Sequence, residues 1–355
     1  MKLWKISSFI MMGDSFSAQG TLDRRNLLGF TPMSTLSGLR GRSSLSKFTT
    51  GLIWSDHLSA MIAEEFIIEE LGAVAAIADN INSHERRVEI LVQKGYFLNN
   101  DRVINHKGKN FIRNYDEAGL TAHDYSWVPS VNLSCFFNRL ILPTLNGVRK
   151  KLLAYDEALE LSKKHKAETL VIEWSGANDL MTVNTSPSRD YVDLAIKARM
   201  ENLAQLVRNE YSHFVLFNLP DLSLTPRYQA KKEECEYTRD CSLYFNERLT
   251  TACQEFAATH PHYSVDVFDV NSIVTEMYEN PEKYGFDIAK LKQPYIQSTD
   301  FIIEKSDFSS EKEYMFGDDV HLSTYVHAKL AEQFYRKYRL EYYFSAPEME
   351  LVKEE

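Results

Sequence analysis

Ile6-Ser7-Ser8-Phe9-Ile10-Met11-Met12, followed at once by Gly13-Asp14-Ser15-Phe16-Ser17, decides how this chain is read. An apolar run of that length, ended by a glycine, reads as a buried strand. A Gly-Asp-Ser turn at its carboxyl end sets a serine hydroxyl at the mouth of an α/β sheet, in the crevice where small-molecule sites form. Alone, Gly-Asp-Ser is ordinary turn chemistry. Two further motifs in order give it weight. Gly176-Ala177-Asn178-Asp179 closes a second apolar strand, and Asp318-Asp319-Val320-His321 lies near the C-terminus.

Outward from these motifs, apolar runs alternate with helical patterns, which predicts parallel βαβ units. Strands are expected at 6–12, 110–114, 169–174, 213–218 and 264–270, and helices at 55–71, 146–164, 191–211, 242–259 and 324–339. In the first helix Leu58, Met61, Ile62, Phe66, Ile67 and Leu71 form an apolar stripe at helical spacing, which reads as core. Residues 79–109 and 287–313 break the alternation and read as surface excursions, with a lid or substrate wall as the alternative. The expected organisation is one domain over 1–345 and an acidic tail over 346–355.

The bulk numbers narrow the function. With 355 residues, 44% hydrophobic and 25% charged, the composition is that of a globular α/β protein. A net charge of −10 with no basic, aromatic-interleaved run argues against nucleic acid as a partner. No run approaches the ~20 apolar residues of a membrane-spanning helix. The opening Met1-Lys2-Leu3-Trp4-Lys5 has a signal-peptide look, but it lacks a proper apolar region and cleavage site, and cleavage would remove Gly13 and Ser15. The cytoplasm is therefore the default expectation. Cys135, Cys235, Cys241 and Cys253 make no disulfide framework; Cys235 and Cys241 are the one pair that could close a small loop, with free thiols favoured. No Cys/His spacing suggests zinc, and no cofactor is expected.

Acyl transfer needs a nucleophile, a base, a group orienting the base and donors for developing negative charge. Ser15 supplies the hydroxyl. His321, three residues after Asp318, supplies a base: on a helical turn that spacing shares a face, so the carboxylate takes Nδ1–H and leaves Nε2 for Ser15. Asn178 ends a strand and offers its amide to an oxyanion, although turn-forming is the plain alternative for it.

These motifs resemble the GDSL branch of the SGNH hydrolases along nearly the whole chain. Gly13-Asp14-Ser15-Phe16-Ser17 matches block I, with Phe16 where leucine is usual. Gly176-Ala177-Asn178-Asp179 matches block III, and Asp318-Asp319-Val320-His321 block V. Block II is degraded: Asn114-Tyr115-Asp116-Glu117-Ala118-Gly119-Leu120-Thr121 keeps the glycine but carries two acids in place of small residues. Gly317 stands where an aromatic often precedes the block V aspartate. Connecting stretches agree: Lys47-Phe48-Thr49-Thr50-Gly51 to Trp54, Leu219-Pro220-Asp221-Leu222 with Pro226, and Asn280-Pro281 to Tyr284-Gly285-Phe286. They are similar to the subgroup holding bacterial phospholipases, lysophospholipases, thermolabile haemolysins and glycerophospholipid–cholesterol acyltransferases.

The resemblance implies a three-layer α/β/α sandwich with a five-stranded parallel sheet of flavodoxin-like order. It also implies Ser15, Asp318 and His321 as the catalytic triad, with the Ser15 N–H, Gly119 N–H and Asn178 side chain as oxyanion donors. No Gly-x-Ser-x-Gly elbow surrounds Ser15, which separates it from the α/β-hydrolases. The implied function is a serine esterase on lipid esters, a phospholipase or lysophospholipase with acyl transfer open. The alternatives are a carbohydrate O-acetylesterase and a binding protein on a decayed SGNH scaffold. The implied partner is a lipid or other small acyl ester, and peripheral membrane contact stays open. The apolar stretch 127–145 reads mostly as core, with part available to line an acyl channel. Residues 348–355 resemble glutamate-rich C-terminal signals of type IV secretion effectors, with a solvated tail as the alternative.

Overall fold

The computed structural model describes residues 3–18, 26–27, 31–32, 48–49, 51–71, 97–99, 103–106, 109–184, 186–302 and 311–347. The first expected strand is broken at Ser7 into β1 (Trp4–Ile6) and β2 (Ser8–Gly13). Apart from a two-residue antiparallel pair, Asn26–Leu27 with Thr31–Pro32, the further described strands are β3 (Phe97–Asn99), β4 (Val103–His106), β5 (Lys109–Asn114), β6 (Thr169–Trp174), β7 (His213–Phe217), β8 (Ser264–Phe268) and β9 (Tyr342–Phe344). Strand β1 leaves the main sheet to pair in parallel with β9.

The main sheet has seven strands in the order β8-β7-β6-β2-β5-β4-β3. The five from β8 to β5 are parallel. Counted in chain order these run 2-1-3-4-5 across the sheet, the flavodoxin-like arrangement. Every residue of β2, β6 and β7 is buried, as expected of strands covered on both faces. The expected excursion 79–109 needs correction in its described part, because β3 and β4 extend the sheet edge as an antiparallel hairpin on β5. Strands of three and four residues are too short to show a period-two pattern. Residues 79–96 of that stretch lie outside the described residues, as do Lys47, Thr50 and the 348–355 tail.

The main helices are α1 (Trp54–Leu71), α2 (Leu133–Ile141), α3 (Leu145–Ala158), α4 (Ala177–Met181), α5 (Arg189–Arg208), α6 (Lys232–Thr259), α7 (Val270–Glu279) and α8 (Thr324–Tyr338). They cover both sides of the sheet: α1 packs on α8, while α3 and α6 pack on α5. Strand β6 hides a charge that its apolar pattern does not suggest. Buried Glu173 is paired with buried Arg199, whose Nη2 also donates to the carbonyls of Glu173 and Phe217. Pairing plus hydrogen bonding is what makes such charges tolerable in a core.

Two further expectations are settled here. Cys235 and Cys241 are both free and both on α6. Six residues of helix separate them by ~9 Å, beyond disulfide reach. The stretch 127–145 is not mostly core: Trp127, Val131, Leu133, Phe136, Phe137 and Leu140 are exposed, and α2 buries Cys135 and Arg139 instead. Helical spacing identifies a face of a helix but not which way that face is turned.

Candidate active site

Strands β2 and β6 are neighbours where the strand order reverses, so their carboxyl ends open into one crevice. The turn carrying Ser15 leaves β2 there and is tied to β6: the Asp14 N–H donates to the Trp174 carbonyl at 3.2 Å, and Phe16 stacks on Trp174 with centroids 4.9 Å apart. From β6 the chain turns at Gly176, whose φ of +119° no side chain adopts comfortably. A Cβ there would also lie 2.5 Å from Phe245. Helix α4 starts at the next residue and presents Asn178 to the crevice.

His321 and Asp318 arrive from the segment before α8. His321 Nε2 lies 2.7 Å from Ser15 Oγ, and its Nδ1 lies 2.7 Å from Asp318 Oδ2. The i, i+3 relation is made by a bend, not by the helical turn expected from spacing. Asp318 Oδ1 accepts the N–H groups of Val320 and His321 at 2.8 and 2.7 Å, so the carboxylate shapes the turn that carries its own partner. The Phe316–Leu322 bridge and the Gly317 N–H on the His321 carbonyl close the bend from outside. Burial acts to raise the Asp318 pKa, but His321 and these hydrogen bonds outweigh it and hold the group below the usual carboxylate range. Phe48 and Phe16 flank the imidazole, with centroids 4.8 and 5.5 Å away.

The other acids nearby behave differently. Burial pushes Asp14 up to about 7 and Asp116 well above its ordinary value, so both tend to the neutral acid. Glu117 is paired with Lys151. The two acids of degraded block II therefore stay out of the crevice, and neither lines it. The carboxylate at the imidazole is Asp318.

Gly119 does line the crevice, at a φ of +76° that strains any residue with a side chain. Among the described residues, neither the Ser15 N–H nor the Gly119 N–H donates to a protein acceptor. Asn178 is held by both ends of its amide: Nδ2 donates to the Leu120 carbonyl at 3.1 Å, and Oδ1 accepts from Thr182 Oγ1 at 2.6 Å. One Nδ2 hydrogen is left for a ligand. A positioning role for Asp179 was not visible in sequence. Its carboxylate accepts the Ala122 and His123 N–H groups at 2.8 and 2.9 Å, binding the loop after Gly119 to α4.

Ser15, Asp318, His321, Gly119 and Asn178 all line one cavity of about 480 Å³. Phe48, Ile141, Leu142, Met181 and Ile296 make its apolar wall. The stretch 287–313 is thus part of the site in its described portion: the Ile296 N–H donates to the Gly317 carbonyl at 3.0 Å, and Ile296 lines the cavity. Arg227, Gln297 and Asp319 line it too. Among the described residues, no group of three His, Cys, Asp or Glu is arranged to hold a metal ion.

A linear Asp-His-Ser array at the carboxyl ends of a flavodoxin-like sheet agrees with the family comparison, in which the model for GDSL-like lipase/acylhydrolase matches residues 9–334. The chain belongs to that family. Within it, the secreted effector protein SseJ of Salmonella typhimurium is 23% identical over 62% of this chain and 48% of its own length. A phosphatidylcholine-sterol acyltransferase of Aeromonas hydrophila is 29% identical over 49% of this chain and 47% of its own. An anther-specific proline-rich protein of Brassica napus is 23% identical over 50% and 43%. The chain spans about half the length of these curated relatives. Among solved structures, an α/β hydrolase enzyme from the Lake Arreo metagenome aligns over 96% of this chain and 98% of its own at 11% identity, with a TM-score of 0.42.

Proposed function

We propose that this GDSL-family protein is a serine esterase that cleaves lipid carboxylic esters through an acyl-enzyme, as a phospholipase or lysophospholipase with acyl transfer to an alcohol as a second outcome. The observation that carries the reading is the Asp318–His321–Ser15 chain of 2.7 Å contacts opening into a cavity with an apolar wall. His321 Nε2 takes the proton as Ser15 Oγ attacks the ester carbonyl carbon, and Asp318 stabilises the imidazolium. The N–H groups of Ser15 and Gly119 and the Asn178 amide hold the oxyanion. His321 then protonates the departing alkoxide, and water or an alcohol, deprotonated in turn by His321, releases the acyl group from Ser15.

Ile141, Leu142, Met181 and Ile296 favour an acyl chain over acetate, since each buried CH₂ contributes ~0.8 kcal/mol. The likeness to a phosphatidylcholine-sterol acyltransferase supports a lipid substrate. The likeness to a secreted effector supports secretion of this protein. No helix among the described residues is long and apolar enough to cross a membrane. A panel of p-nitrophenyl esters and lysophospholipids, read by mass spectrometry against Ser15→Ala, tests the reading. Turnover is expected to rise beyond acetate towards medium or long chains, with fatty acid released from lysophospholipid. An optimum at acetate without fatty-acid release would transfer the protein to the carbohydrate O-acetylesterases.

Asn178→Ala is expected to lower kcat by ~10²–10³ with a smaller change in KM, the signature of one lost oxyanion donor. A change in KM alone would make Asn178 a binding or turn residue.

A further inference from the structure

Helix α2 is amphipathic with its faces reversed. Leu133, Phe136, Phe137 and Leu140, at the i, i+3, i+4, i+7 spacing of a core-facing stripe, are 73%, 39%, 57% and 51% exposed. Trp127 and Val131, just before the helix, are 91% and fully exposed. The polar side points inward and is fastened there. Asn138 Nδ2 donates to the Thr182 carbonyl at 3.0 Å. The buried Arg139 guanidinium donates to the carbonyls of Val183, Val128 and Pro129 and to Asn184 Oδ1, at 2.6 to 3.0 Å. Rolling the helix over to bury its stripe would break all five bonds, so the exposure is built in. Apolar surface concentrated this way marks an interaction site.

We propose that this face, centred on Trp127, Leu133, Phe137 and Leu140, docks the protein on a zwitterionic lipid surface and so delivers substrate to the cavity. The inference rests on the lipid-ester reading above. Two observations select a lipid surface over a second copy of the chain. Asn138, Ile141 and Leu142, from the same helix and its C-cap, line the cavity, so a protein partner seated on the stripe would sit against the cavity mouth, whereas a bilayer would feed it. From 125 to 145 the only charged residue is Arg139, and it is buried, while the chain as a whole carries −10. An uncharged face on an acidic protein suits a neutral phosphocholine surface and gains nothing from anionic lipid. An exposed tryptophan beside aliphatic and phenyl side chains is the composition that settles at the headgroup level.

The test uses the full chain carrying Ser15→Ala and phosphatidylcholine vesicles, read by co-sedimentation. Adding Trp127→Ser, Leu133→Ser and Phe137→Ser together is expected to weaken partitioning at least tenfold, and Trp127→Ser alone about threefold. Binding should change little with salt or added phosphatidylserine. With Ser15 restored, the triple variant should hydrolyse p-nitrophenyl butyrate and monomeric short-chain phosphatidylcholine within twofold of the native rate, which also reports an intact fold. Its hydrolysis of vesicle phospholipid should fall at least tenfold. Equal partitioning of native and Trp127→Ser or triple variant would overturn the proposal. So would binding only in the presence of anionic lipid, or a native dimer that the variant dissolves without any change in vesicle binding. Vesicle binding that falls tenfold, in a protein that cleaves p-nitrophenyl butyrate but no phospholipid, would keep the docking face and refute the lipid-ester function.

Discussion

Ser15→Ala is expected to remove ester hydrolysis, lowering kcat for p-nitrophenyl butyrate by ~10⁵–10⁶. Labelling by a serine-directed fluorophosphonate should vanish with it. The hydroxyl lies 2.7 Å from His321 Nε2, and the turn that carries it does not depend on it for structure. That turn is held by the Asp14 N–H on Trp174, the Ser17 N–H on Asp14 and the Phe16–Trp174 stack. The circular dichroism spectrum should therefore be unchanged. Undiminished activity in the purified variant would remove Ser15 from the mechanism and leave the binding-scaffold alternative for this cavity.

His321→Ala is expected to cost about as much as Ser15→Ala, and the double variant no more than either, because the proposed nucleophile and base would act as one unit. Asp318→Asn should be milder, at ~10⁴ in kcat. Its amide oxygen can still accept the Val320 and His321 N–H groups, so the bend persists. The amide nitrogen then faces Nδ1, forcing the tautomer that protonates Nε2 and leaves Ser15 without a base. Asp319→Ala serves as the contrast, with kcat expected within about threefold. Asp319 points to Gln297, 2.9 Å away, and makes no hydrogen bond to His321. A reversal, with Asp319→Ala crippling and Asp318→Asn silent, would show that the orienting carboxylate has been misassigned.

Much of the architecture is legible in the chain because its central strands are buried on both faces. Such strands read as unbroken apolar runs, and Phe9–Met12, Thr169–Trp174 and His213–Phe217 stand at the expected places. Motifs that end such strands carry their own position: Ser15 and Asn178 had to open on the same crevice once β2 and β6 became neighbours. The β3–β4 hairpin escaped notice because short edge strands are specified by pairing with β5, a partner their own residues do not announce.

What the sequence determined by itself is the order of βαβ units and the arrival of Ser15 and Asn178 at strand ends, since these follow from local periodicity and turn chemistry. Tertiary structure alone decided the rest. It separated two kinds of carboxyl group: Asp318 ionised by its imidazole and N–H donors, Asp14 and Asp116 pushed towards the neutral acid by burial. It also turned the stripe of α2 outward, because Arg139 satisfies four acceptors only when its face is buried. Both outcomes depend on which groups from distant segments share a desolvated space, and spacing along the chain carries no record of that.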